Sequence, residues 1–306
     1  MGCTGWTTLI LFASVLVPLL GPFLSLLTPL PFLFYSTKLG LKEGAKTALF
    51  SLVGIAVAAE AVGLPYIVLI VVEMGLLGLA LSMLFRIRMG IGQTIFFATA
   101  FMFVLSAGYL FVLGLSKGMG PIEMVRGFLH GYLTATLEAY KEMGVTPENA
   151  ADFERYAKAV IDMIFPSLAI LGMGFTIWLN LVTAKPLFKF GNLKYPEFGP
   201  MDEWHAPETM IWGLICSGFI FFGLSGIPKS LAANVLIVLL VIYLFHGLSI
   251  ILFFLNKYRL PAWVRASVFL LIFIQQFFWL FLGMAGIFDQ WVDFRKLRKN
   301  QPSELQ

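Results

Sequence analysis

Few residues in this chain could carry chemistry, and their depth within apolar runs singles them out. Glu73 lies near the middle of "LPYIVLIVVEMGLLGLALSMLF", residues 64–85, a run with no other charged residue before its end. As a helix of about 22 residues it would be roughly 33 Å long, enough to cross a bilayer. A charge at that depth costs about 2.5–3.5 kcal/mol on insertion scales, so the carboxyl is expected to face a partner, a cavity or a ligand. Of the three histidines, His130, His205 and His246, only His246 sits inside an apolar run. Tyr243 precedes it by three residues and shares its helical face. Gln275 and Gln276 are comparably deep, while Asp162 and Asn234 lie nearer the ends of their runs. Two roles fit such groups: hydrogen bonding between helices, or contact with a solute or proton. Glu73, His246, Tyr243 and Gln276 are the candidate ligand contacts.

Familiar catalytic patterns do not survive their context. "GLSKG", residues 114–118, has the nucleophile-elbow spacing around Ser116. That motif requires a strand, a sharp turn and a helix, whereas Ser116 ends an apolar helix. "GLSG", residues 223–226, resembles the serine motif of rhomboid proteases, with His246 on the following run. If that run starts at about residue 231, His246 lies roughly 22 Å deeper than Ser225, and a dyad needs hydrogen-bond reach. No HExxH, phosphate-binding glycine loop or clustered metal ligands are visible. No catalytic residue, metal or cofactor is expected, and the chain is not read as an enzyme.

The elements that would position these residues are membrane helices. Apolar residues make up 59% of the 306-residue chain and charged ones 12%, with a mean hydropathy of +0.88. Soluble domains carry about 25% charged residues. In lipid, only helices or closed barrels satisfy the backbone, and these long continuous runs are unlike the short alternating strands of barrels. The net charge of +4 does not suggest a nucleic-acid partner, because the basic residues sit in short loops, where they set topology. Cys3 and Cys216 are far apart and form no disulfide framework.

Nine apolar segments can be drawn, at about 7–20, 22–37, 41–61, 64–85, 92–116, 159–184, 209–226, 231–255 and 264–287. The first two are broken by Pro18, Pro22, Pro29 and Pro31. The expected fold is an all-α, polytopic transmembrane helix bundle with eight or nine membrane segments. Lys38, Lys42 and Lys46; Arg86 and Arg88; Lys185, Lys189 and Lys194; and Lys257, Arg259 and Arg265 occupy alternate loops, which the positive-inside rule makes cytoplasmic. The basic tail "RKLRKN" is expected inside as well, which favours eight crossings over nine.

Three regions result: membrane helices with a broken start (1–116), a polar insertion (117–158), and further membrane helices with a short basic tail (159–306). In the insertion, Ile122, Val125, Leu129, Tyr132, Leu133, Leu137 and Tyr140 form one helical stripe. An amphipathic helical hairpin between segments five and six is expected to lie on the outer membrane face. The loop "YPEFGPMDEWHAPETMIW", residues 195–212, is rich in aromatics, acids and proline. It reads as an interfacial anchor or a partner-docking elbow, with Trp204, Glu208 and Trp212 as candidate docking residues.

In order, "LTPLPFLFYSTKLGLKEG", "FGPMDEWHAPETMIW", "NVLIVLLVIYLFHGLSI" and "GIFDQWVDFRK" resemble the YybS-like family of uncharacterised bacterial inner-membrane proteins, over nearly the whole chain. That family is distantly similar to the substrate-binding (S) components of energy-coupling-factor vitamin transporters, and the same broad group includes the rod-shape protein MreD. S components usually have six helices, fewer than the segments counted here. The resemblance implies a multi-pass protein of the bacterial inner membrane and transfers no catalytic residue. Two functions follow as expectations. The first is recognition or transport of a small solute. The alternative is a non-transport scaffold for cell-envelope or morphogenesis proteins. The expected partners are the lipid bilayer and either a solute or a membrane protein.

Overall fold

A computed structural model describes residues 2–17, 21–61, 63, 66–144 and 150–296. Within them all regular structure is α-helical: α1 (Gly2–Leu16), α2 (Gly21–Ser25), α3 (Pro29–Leu39), α4 (Leu41–Ala61), α5 (Tyr66–Ile87), α6 (Ile91–Lys117), α7 (Pro121–Glu142), α8 (Ala150–Phe190), α9 (Met210–Gly223), α10 (Ile227–Lys257), α11 (Ala262–Ile274) and α12 (Phe277–Val292). The chain forms two compact units. One comprises residues 1–125 and 170–198, the other 126–169 and 199–306.

The expected eight or nine membrane segments are too many. Among the described residues, five helices (α4, α5, α6, α8 and α10) are long and apolar enough to cross a membrane, or six if the bent pair α11–α12 counts as one span. The overcount has local causes. Residues 7–37 are apolar, but prolines and turns divide them into helices of 15, 5 and 11 residues. The run at 209–226 yields only the 14-residue α9. The last run bends by 106° between α11 and α12. The insertion also differs from a separate hairpin, because its second arm is the start of α8. That helix is 41 residues long, about 60 Å, roughly twice the bilayer's hydrocarbon thickness.

In the first unit, α3 packs into α5 where α5 is thin. A Cβ at Gly78 would meet Phe32 Cβ and Pro29 O at 2.6 Å, and one at Gly75 would touch the Phe32 ring at 3.4 Å. One turn on, Thr37 donates to Ser82 Oγ at 3.3 Å. Cys3, Phe32, Ala48, Ile55 and Val71 form the core between these helices. The turn at 26–28 leaves a carbonyl without a helical partner, and Asn180 Nδ2 donates to it, at Leu26 O, 2.8 Å. Broken backbone within a membrane needs such internal partners. Phe85, Phe188, Tyr195 and Phe198 meet edge to face at 5.4–5.9 Å. Tyr195 donates to Leu181 O, and burial pushes its phenol up from the usual range.

In the second unit α10 is central. α12 packs on it at Gly247 against Leu282 and at Tyr243 against Gly286. These pairs run in opposite order along the chain, so the helices are antiparallel. α7 has no buried residue. It is tied to the start of α8 by polar contacts: His130 Nε2 with Asp162 at 2.9 Å, Arg126 with Asp162 at 3.6 Å, and Thr134 donating to Glu154 at 3.2 Å. Of the polar face His130 is half-buried, while Glu123, Arg126, Glu138 and Lys141 stay exposed; Val125, Leu129, Leu133 and Leu137 are half-buried, and Phe128, Tyr132 and Tyr140 are exposed.

Candidate functional site

Tyr243, His246 and Ser249 rise along one face of α10, spaced three residues apart. Trp204, from the elbow before α9, meets the His246 ring edge-on at 6.3 Å, and Tyr243 stacks on it at 6.4 Å. The structure thus brings three of the candidate residues, Tyr243, His246 and Trp204, into one place. It adds two that depth alone did not suggest. Asp289 projects from α12, and Arg295 folds back from the segment after that helix, beyond a left-handed Asp293 (φ 48°). His246, Asp289 and Arg295 are 1%, 5% and 5% exposed, so protein, not solvent, surrounds them.

The cluster is closely bonded. His246 Nε2 lies 3.0 Å from Asp289 Oδ2, and Arg295 Nη2 lies 3.1 Å from the same oxygen. Arg295 Nη2 is also 3.0 Å from His246 Nε2, so the placement of one proton decides the pattern. His246 Nδ1 has no partner. A proton there would be a buried donor without an acceptor, which is costly. With the proton on Nε2, His246 donates to Asp289, and Arg295 Nη2 donates to that carboxylate too. Asp289 Oδ1 accepts from Phe294 N at 2.7 Å and caps the turn that carries Arg295.

Arg295 also fixes the elbow. Its Nη1 donates to Asp202 O at 2.8 Å, Trp204 O at 3.0 Å and Ser249 Oγ at 2.8 Å. Ser249 in turn donates to Trp204 O. Asn256 donates to Asp202 Oδ2 at 2.8 Å, and Gln290 donates to Ala206 O at 3.1 Å. Residues 202–206 therefore lie along α10 as non-helical backbone whose carbonyls are met by side chains. Backbone groups outside a helix or sheet ladder need such partners when buried. Ser249 bonds to Arg295 and Trp204 rather than to the imidazole, so it does not form a nucleophile–base pair with His246.

The other candidate residues stand elsewhere. Glu73, half-buried on α5, accepts a short hydrogen bond from Ser106 of α6, within the first unit. Gln276 is the exposed N-cap residue of α12, at the 106° bend. Glu208 is exposed in the turn before α9, and Trp212, 67% exposed, lies in the first turn of that helix. The described clefts lie at α7 and between α10, α11 and α12, and neither is lined by Glu73 or His246. Asp289 and Arg295 were legible only as part of the ordered motif "GIFDQWVDFRK". The usable signal was an acid in the last turn of an apolar helix, followed by an arginine.

The family model described as "Predicted membrane protein (DUF2232)" matches residues 6–290. The uncharacterised protein YybS of Bacillus subtilis (strain 168) is 24% identical over 286 residues, covering 90% of this chain and 89% of that protein. No solved structure matches. The order of motifs and the match over most of its length agree: this chain belongs to the DUF2232 family of predicted membrane proteins, which includes YybS-like proteins.

Proposed function

We propose that this multi-pass membrane protein is a non-transport scaffold of the bacterial inner membrane, and not an enzyme. Its elbow and α9 would hold a membrane partner of the cell envelope. One observation carries the reading: the guanidinium of Arg295 fills the buried polar site at His246 that a solute would need. Closely bonded charges in a closed interior serve to fix one geometry. The elbow held in that geometry ends at Glu208 and the exposed Trp212, a chemistry suited to a protein surface. Solute recognition in the manner of S components is the second reading. The unpartnered Nδ1 of His246 favours it, since it is a buried acceptor with capacity for one more donor.

Two measurements separate the readings. A photoreactive phenylalanine analogue at Trp212, in membranes of the native host, is expected to give one discrete protein adduct, and the same analogue at Phe273 none. Native mass spectrometry of the purified protein is expected to show no small polar solute at unit stoichiometry. A retained solute that is lost in H246A would replace the scaffold with the solute reading.

A further inference from the structure

An apolar cleft of about 460 Å³ lies between α10 and the bent pair α11–α12. Ile251 of α10, Val264, Val268 and Leu271 of α11, and Phe281 and Leu282 of α12 wall it, with Trp263 at the start of α11. The cleft follows from the bend at Gln275–Gln276. α12 packs closely on α10 through Gly247 and Gly286. α11 turns away and has no buried residue, although nearly every side chain on it is apolar. Ser267, the hydroxyl in the lining, donates to Trp263 O of its own helix. Nothing inside therefore asks for a polar ligand.

Two cations lie close in the chain to the Trp263 end of the cleft. The turn between α10 and α11, residues 258–261, follows Lys257 and ends two residues before Trp263, and Arg259 lies within it. Both cations are exposed. The Lys257 ammonium sits over the Phe253 and Phe254 rings at 5.8 and 5.9 Å. Arg259 holds a left-handed φ of 49°, in a helix-ending position where glycine is usual. Arg265 is engaged by Asn256 Oδ1 and Leu260 O, and Asn256 also holds the neighbouring acid, Asp202. Lys257 and Arg259, both exposed, are thus the cations available for an anion near the Trp263 end of the cleft.

We propose that this cleft binds one anionic phospholipid, with an acyl chain along the α11–α12 wall and the phosphate at Lys257 and Arg259. A partner helix is about 10–12 Å across, so the cleft would admit only about one turn of it. A hydrocarbon chain is slender enough to lie in the cleft at length. Basic groups beside an apolar cleft between membrane helices select anionic headgroups. The site does not depend on the scaffold reading.

Trp263 reports on the cleft directly. The full-length protein in uncharged detergent is titrated with phosphatidylglycerol or phosphatidylcholine brominated on one acyl chain, and quenching is compared with that of W263F. The expected result is saturable quenching of the Trp263 component, with phosphatidylglycerol effective at about tenfold lower concentration. K257S/R259S, at exposed positions, is expected to remove that preference and leave the phosphatidylcholine curve unchanged. Native mass spectrometry is expected to show one phosphatidylglycerol retained by the wild type and lost by the double variant. Equal quenching by both lipids, or a preference unaltered in K257S/R259S, would overturn the proposal. So would competition by inorganic phosphate as effective as that by the lipid, or a dimer whose formation abolishes quenching.

Discussion

The side-chain amide of Asn234, on α10, stands in the hydrogen-bond ladder of α8 beside Ser167. Its Oδ1 accepts from Ser167 N at 2.7 Å, and its Nδ2 donates to Met163 O at 2.7 Å. In an uninterrupted helix, Ser167 N and Met163 O would bond to each other. Pro166, one residue earlier, has no N–H to give and crowds the preceding turn. The amide therefore bridges a ladder that proline has already weakened, at a point where side-chain insertion bends helices.

N234L is accordingly expected to leave a buried donor and acceptor poorly paired, costing about 1–3 kcal/mol. P166A should recover part of that loss, because it lets the helix close. Thermal unfolding of the purified variants in detergent checks both. An N234L protein as stable as wild type would show that α8 closes on its own.

Asp289 and Arg295 form a buried ion pair. Removing one partner strands the other charge, so D289N and R295M are each expected to lose about 3–5 kcal/mol. The double variant should be more stable than the sum of the single losses predicts, by a coupling of about 0.5–3 kcal/mol. R295K is expected to behave more like R295M than like wild type. A single ammonium cannot reach Asp289, Ser249 and the Asp202 and Trp204 carbonyls from two separate nitrogens. Denaturation of the four proteins gives the cycle, and additive losses would contradict the pairing.

Glu73 accepts from Ser106, and an amide oxygen can accept the same bond. E73Q is therefore expected to match wild-type stability, while E73L should lose up to about 1–2 kcal/mol, the scale of a hydrogen bond between membrane helices. The measurement is again thermal unfolding. A large loss in E73Q would mean that the charge itself matters.

The spans at α4, α6 and α10 were legible because their apolar runs are long, free of proline beyond the first turn and bounded by loops. Where apolarity and helical continuity part, the sequence misleads. Residues 264–287 are apolar almost throughout, yet the chain breaks at Gln275–Gln276, whose amides read as hydrogen bonders between helices or, for Gln276, a ligand contact, and not as a break. The elbow reads as an aromatic, acidic and proline-rich anchor or docking loop, but nothing in that composition shows that side chains of Arg295, Asn256 and Gln290 hold residues 202–206 as non-helical backbone. At the candidate site, His246 and Tyr243 stood out by depth. Asp289 and Arg295 did not, because a basic tail after an apolar run looks interfacial. Only the fold-back after Asp293 carries the guanidinium inward. Such long-range closure leaves no periodicity to read.

Orientation can be tested by labelling. With Cys3 and Cys216 replaced, single cysteines at Lys42 and Lys189 are expected to be protected from an impermeant maleimide in intact cells, and one at Glu138 to react. The basis is the segregation of Lys and Arg between alternate loops. The reverse pattern would invert the topology.

The α10–α12 contact supplies the sharpest contrast. A Cβ at Gly247 would fall on the Leu282 carbonyl, and one at Gly286 on the Tyr243 carbonyl. Both obstacles are backbone, so neither can rotate away. G247A and G286A are therefore expected to separate the helices and lose about 1–3 kcal/mol or more. The same shift would pull Asp289 from His246 and loosen the elbow that Arg295 ties to both. Gly283 lies on the same helix, between these contacts, yet a Cβ there meets nothing within 4 Å. G283A should be neutral or slightly stabilising, since alanine is the better helix former. Protease accessibility of the elbow at 199–209, measured alongside thermal unfolding, distinguishes the cases. It is expected to rise in G247A and G286A and to stay at the wild-type level in G283A. Equal behaviour of the three variants would show that the close approach of α10 and α12 does not hold the site together.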